Sequence, residues 1–185
     1  MDDILKFAFK IGYDAVGIQV SDYSQFQYID FIKKNHDKIF LRLKQKPTEK
    51  IYNNYILVTE DIDEIVKSPS KFDVFVLKDF HNYRMYIEKI KRLNRKIGLE
   101  IQFSDLRGLN SFEIAKFFKY LKIIFKFCVL SSNTFIISSG SKSIAEMISP
   151  RIIDALLKFC SISPEKYWYA FNSWFILKNR VYSYA

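Results

Sequence analysis

The best candidate for anion chemistry in this chain is TFIISSGSKSIAEMISPR, residues 134–151. Its β-branched start predicts a buried strand. The strand stops at Ser138-Ser139-Gly140-Ser141-Lys142, a turn of small residues with one cation. A helix is predicted to begin at Ser149-Pro150-Arg151, with Ser149 as N-cap and Pro150 at the first helical position. Small residues let a backbone approach an anion closely, and Lys142 and Arg151 supply positive charge. The segment reads as a phosphate-facing strand end in an α/β protein.

Bond-breaking chemistry finds less material. Glu100 falls within a strand and Asp105 just beyond its end, where a carboxylate pair could serve as general acid and base. Only two histidines occur, His36 and His81, and neither belongs to an HxH, HExxH or Cys/His ligand spacing. Both read as turn or surface residues. Walker, GxGxxG and GxSxG motifs are absent from the sequence. A hydrogen-bonding role is therefore preferred for Glu100, with no catalytic and no metal-ligating residue assigned.

The cations are more informative. On a helix predicted over 111–129, Lys116, Lys119, Lys122 and Lys126 fall within an arc of roughly 120°. Phe117, Leu121, Ile124, Phe125 and Cys128 take the opposite side. Glu113 is the one acid on this helix, so i,i+4 pairs do not account for the stripe. Tyr120, Ile123 and Phe127 flank it, unusually apolar for plain surface, and a phosphate backbone or a partner protein would explain both features. A second set, Lys44, Lys46, Lys78, Arg107 and Lys142, lies beyond four predicted strand ends, the usual ligand face of α/β folds. A third, residues 89–96, ends a helix, where cations also complement the helix dipole. Near the C-terminus, Tyr167, Trp168, Tyr169, Phe171, Trp174 and Phe175 place six aromatics in nine residues. Most are expected in the core, with one or two at the surface as anchors for a protein or platforms for unpaired bases.

The elements that must position these residues alternate helix and strand. A helix over 2–11 is followed by six strands, at about 15–20, 38–44, 55–58, 72–77, 98–103 and 134–138. Helices are predicted between them at about 23–35, 61–67, 81–96 and 111–129, the last capped by Asn110 or Ser111. Two more begin at Ser149 and at Ser163-Pro164. Such βα repeats build a parallel sheet, either open and doubly wound or closed as a barrel. Eightfold barrels usually need more than 200 residues, and this chain has 185. A single domain with a compressed or partial barrel is expected. Lys and Arg exceed Asp and Glu by nine, unevenly: residues 1–106 carry a net +2 and residues 107–185 a net +7. That asymmetry points to a polyanionic partner on the C-terminal half. Cys128 and Cys160 read as buried free thiols. The acidic start, MDDILKFAFK, does not resemble a secretory signal, and no apolar run approaches the roughly 18–20 residues of a membrane span. A cytoplasmic location is expected.

Several of these segments resemble the archaeal ribonuclease P protein component 3, homologue of the eukaryotic thirty-kilodalton subunit. They are LEIQFSDLRG (99–108), the long helix after it, TFIISSGSKS (134–143) and the Ser149-Pro150-Arg151 helix start. GYDAVGIQV (12–20) and YNNYILVTEDIDEIVKSPSKFDVFVL (52–77) are similar to that family's earlier strand–helix units, and SPEKYWYAFNSWFILKNR (163–180) to its closing helix pair. The resemblance implies a TIM-barrel-like fold related to the PHP phosphoesterases, in a non-catalytic subunit of the RNA enzyme that removes 5′ leaders from precursor tRNA. It implies ribonuclease P RNA, protein component 2, other ribonuclease P proteins and precursor tRNA as partners. Magnesium would serve the RNA holoenzyme, and the protein itself would need no cofactor. Family members begin with a strand, whereas this chain enters a helix from Met1-Asp2-Asp3, so the usual first strand is expected to be missing. Ile148 stands where the family pattern has an arginine. Arg107, Lys116, Lys119, Lys122, Lys126, Lys142 and Arg151 are the residues expected to contact RNA. The alternatives are a metal-dependent PHP-type phosphoesterase on the same barrel, and a scaffold that binds only proteins through the aromatic tail.

Overall fold

The structure, a computed structural model, describes residues 2–20, 29–35, 38–45 and 55–183. Its strands are β1 (Val16–Val20), β2 (Ile39–Leu43), β3 (Tyr55–Thr59), β4 (Val74–Leu77), β5 (Gly98–Gln102) and β6 (Thr134–Ser138). The helices are α1 (Asp2–Lys10), α2 (Ile29–Lys34), α3 (Ile62–Lys67), α4 (Tyr83–Lys91), α5 (Ser111–Ser131), α6 (Pro150–Phe159) and α7 (Pro164–Ser183). All six strands pair in parallel, in the order β1-β2-β3-β4-β5-β6.

That order decides between the two architectures the sequence left open. Right-handed crossovers that always step the same way keep their helices on one face of the sheet. A doubly wound sheet would reverse direction partway. The sheet here is singly wound and curls into a half-barrel.

Its convex face carries Leu41, Leu57, Phe75, Leu77, Leu99, Ile101, Phe135 and Ile137, packed with residues of α1, α3, α4, α5 and α6. The concave face needs a different cover. Ile56, Val58, Val74, Val76 and Ile136 point inward and meet Phe40, Phe171 and Trp174. Helix α7 therefore fills the hollow. Gly98 makes room for it, since a Cβ there would lie 2.7 Å from Ile136 Cδ1 and 3.4 Å from the Trp174 ring. Lys178 reaches the Asp73 carboxylate at 2.5 Å and ties α7 to the start of β4. The free edge of β6 is also managed: the Ile137 N–H donates to the Tyr167 hydroxyl at 2.9 Å. A helix side chain thus takes an amide that a seventh strand would otherwise have paired.

Local sequence accounts for most boundaries. Asn110 caps α5 by accepting from Phe112 and Glu113 N–H groups, and Glu113 answers with its carboxylate on the Asn110 N–H, a capping box. Ser149 holds the N-cap position of α6, but its hydroxyl makes no cap hydrogen bond. Helix α4 ends at Lys91, five residues short of the expected Lys96. The chain turns there so that Arg95 can donate to the Phe72 carbonyl at 2.6 Å, below the strands. Residues 21–28, where the second helix was expected to start, lie outside the described residues, as do His36 and Lys46. Both cysteines are free and buried, and burial pushes the Cys128 thiol pKa well up. No described helix is long and apolar enough to cross a membrane.

Candidate nucleic-acid interface

The strand C-termini open onto a mouth whose charges are largely spent on one another. Arg42 on β2 and Glu100 on β5 both face inward and meet in a two-pronged pair, with both N–O distances 2.6 Å. In a flat sheet, three strand spacings of about 4.8 Å would hold these strands roughly 14 Å apart. Curling brings the side chains together. Ser138 donates to the same carboxylate at 2.5 Å, and Glu100 is 1% exposed. The preferred hydrogen-bonding role for Glu100 is the one its surroundings support. Sequence inspection passed over Arg42, although a lone arginine in the apolar strand Ile39-Phe40-Leu41-Arg42-Leu43 is itself a signal, since an arginine is almost never buried unpaired.

Lys78, beyond β4, donates to the Gln102 side chain and to Asp105 at 3.1 Å. Burial raises the Asp105 pKa, and Lys78 opposes that rise. The carboxylate pair that the sequence allowed but did not favour does not form: Glu100 is held by Arg42 and Asp105 by Lys78. Among the described residues, no three His, Cys, Asp or Glu side chains come together in a group able to hold a metal ion.

The serine turn after β6 is tightly placed. Gly140 has φ +58°, and a Cβ there would lie 2.3 Å from Ser104 Oγ, so both conformation and space demand glycine. The Lys142 N–H and the Arg107 guanidinium converge on Glu146, at 2.7 and 2.5 Å. The Lys142 N–H, aided by Arg107, holds the Glu146 pKa below the usual carboxylate range. The backbone donor expected for a phosphate is thus met by an internal carboxylate. The Lys142 side chain is exposed, as are Lys44 and Arg151.

Helix α5 presents the opposite situation. Phe117, Leu121, Ile124 and Cys128 are buried as anticipated, and Phe125 packs against the same core. Lys119, Lys122 and Lys126 are exposed, and Lys116 is half-buried with its ammonium 4.2 Å from the centre of the Phe112 ring. None of the four meets a carboxylate within ion-pair distance among the described residues. Two of the apolar flanking residues find ordinary packing partners: Phe127 is buried, and Tyr120 lies against Tyr83 of α4 with ring centres 4.8 Å apart. Lys122 lies near Cys160, where its charge partly offsets the rise that burial imposes on the thiol pKa. Lys116, Lys78 and Asp105 line one cavity, which joins the start of the lysine stripe to the mouth. Of the tail aromatics, Tyr167, Phe171, Trp174 and Phe175 pack inward or against one another, while Tyr169 is 77% exposed.

Fold and site together define a singly wound parallel half-barrel plugged by its last helix, with uncompensated lysines on an outer helix. No family model and no curated protein sequence matches the chain. Its fold is similar to that of a chain in the cryo-EM structure of archaeal ribonuclease P with mature tRNA, at TM-score 0.67 and 10% identity. The match covers 98% of this chain and 89% of the other.

Proposed function

We propose that this protein is a subunit of ribonuclease P, of the component 3 type, binding the enzyme's RNA and leaving the chemistry to that RNA. The observation that carries the proposal is the near full-length fold likeness to a chain of an archaeal ribonuclease P structure. The four lysines of α5 support it, because cations without internal partners are available for a phosphate backbone. Lys119, Lys122 and Lys126 form the centre of the contact, Lys116 its near end, and Arg107, Lys142 and Arg151 extend it toward the mouth. The 185 residues act as one domain related to the PHP barrels. Its partners are the ribonuclease P RNA, protein component 2, further ribonuclease P proteins and, in the holoenzyme, precursor tRNA. Magnesium serves the RNA, and the work is cytoplasmic.

Reconstituted cleavage of precursor tRNA, with and without this subunit, tests the proposal. Omission is expected to lower the rate or raise the magnesium requirement, and a holoenzyme indifferent to it would overturn the assignment. The rival PHP-type phosphoesterase requires turnover of a generic phosphodiester by the isolated protein, abolished in Glu100→Gln. Nothing in the geometry favours it, since Glu100 is already committed to Arg42 and Ser138.

A further inference from the structure

Helix α6 carries one large side chain that its core does not use. Ile153, Leu156, Leu157 and Cys160 are buried and share one stripe along the helix. Phe159 points elsewhere: at about 100° per residue it lies roughly 110° from the centre of that stripe. Its ring is 72% exposed. A lone apolar side chain at a surface needs no explanation, but this one is braced. Phe159 rests on Phe118 of α5, with ring centres 4.8 Å apart and planes tilted by 58°. Phe118 in turn packs on the core. The outer ring is thus held from below and open to solvent.

The charges around it have one sign. Lys122 lies one helical turn beyond Phe118 and near Cys160, the residue that follows Phe159. Lys119 is its neighbour on the α5 stripe, and Lys158, just before Phe159, is exposed. None of these three lysines has a carboxylate within ion-pair distance among the described residues. Asp154, the one acid on α6, accepts from the Trp168 indole N–H at 2.7 Å. The negative end of the α6 dipole accounts for Lys158 alone. It does not account for an open aromatic ring set among free cations from two helices.

We propose that Phe159 is a stacking platform for one unpaired RNA base, with the neighbouring phosphates held by Lys119 and Lys122 of α5 and Lys158 of α6. The inference rests on the RNA-binding role proposed above and adds to it a preference for single-stranded RNA. An exposed aromatic can also anchor a protein, but a ring rimmed by lysines with no free acid suits a polyanion better. Every base has a π-face, so such a platform reads no sequence. A duplex keeps its bases stacked inside and offers the ring nothing.

The test uses the full chain with a single-stranded RNA and an RNA duplex of equal length, each titrated over a range of salt. Phe159→Ala should weaken single-strand binding about tenfold. It should leave duplex binding and both salt slopes unchanged, because no charge is removed. Phe159→Trp should bind the single strand at least as tightly as the wild type. Phe159→Leu, apolar but without a π-face, should resemble Phe159→Ala, and it keeps a contact with Phe118 should alanine loosen α6. Lys158→Gln should make the single-strand slope shallower by about 0.7. Single-strand affinity that survives Phe159→Ala overturns the platform, leaves the lysine contact standing and frees the ring to anchor a protein. Full affinity in Phe159→Leu, or an equal loss on the duplex, overturns it too. An unchanged slope in Lys158→Gln removes α6 from the phosphate contact. Absence of salt-dependent RNA binding by the wild type removes both the platform and the RNA role.

Discussion

The mouth of the half-barrel and the outer face of α5 are both basic in sequence, yet they differ in how much of that charge is free. At the mouth, Arg42 is held by Glu100, Lys78 by Asp105 and Gln102, and Arg107 by Glu146. On α5, Lys116, Lys119, Lys122 and Lys126 meet no carboxylate among the described residues. A count of cations does not distinguish these regions, but the share of them with internal partners does. Arg42 and Lys78 are held inside the mouth and Arg107 leans on Glu146, whereas Lys44 and Lys142, like the α5 lysines, meet no carboxylate among the described residues and are left for an outside anion.

The sharpest way to break this comparison is Arg42→Met. It strands a carboxylate that is 1% exposed, and losing one partner of a buried pair costs about 3–5 kcal/mol. Urea denaturation should show a loss of that size. A barely shifted midpoint would mean that the mouth charges are no more internal than those of α5. The complementary change, Lys119→Glu with Lys126→Glu, should leave stability within about 0.5 kcal/mol, as exposed substitutions usually do. RNA affinity should nonetheless fall on the order of tenfold or more, with the salt slope shallower by about two. Unchanged affinity at low salt would remove the stripe from the interface.

A smaller effect sharpens the contrast. Lys78→Met removes one positive charge, half the change of each stripe substitution, and from a cation that already has partners. It should cost about 1 kcal/mol of stability and change the RNA salt slope by less than one unit. The smallest effect concerns Glu146. Because its folded-state pKa is lowered, its stabilising contribution is present above the ordinary carboxylate range and is lost as pH falls through the depressed value. Melting temperatures followed from about pH 5 downward should therefore decline less steeply in Glu146→Gln than in the wild type.

Six strands, their order along the chain and the lysine stripe were legible in the sequence because each is a local pattern, the strands as short apolar runs buried on both faces and the stripe as a repeat near 3.6. The ends of α4 and the fate of the mouth cations were not. Helix α4 stops early because Arg95 is drawn to a carbonyl at position 72, a contact no local pattern encodes. Likewise Arg107 and Glu146 lie 39 positions apart in the chain and become partners only once the βα units have coiled. The choice between a doubly wound sheet and a barrel depended on strand order across the sheet, which periodicity does not specify. Tail aromatics were half legible: their density announced packing, but not that Phe171 and Trp174 would face the hollow of the sheet while Tyr167 and Trp168 join its helical side.

The placement of α7 has a consequence for how the protein is made. The helix that seals the inner face is the last described element of the chain, whereas Phe40, Ile56 and Val58, beneath it, are synthesised more than a hundred residues earlier. During translation the nascent sheet must carry a bare aliphatic lining until Phe171 and Trp174 leave the ribosome. Contacts of such long sequence separation slow folding and leave sticky surface exposed meanwhile. A ribosome stalled shortly before position 164 would therefore present a nearly complete sheet with nothing to fill it, and that species is the natural client of a chaperone.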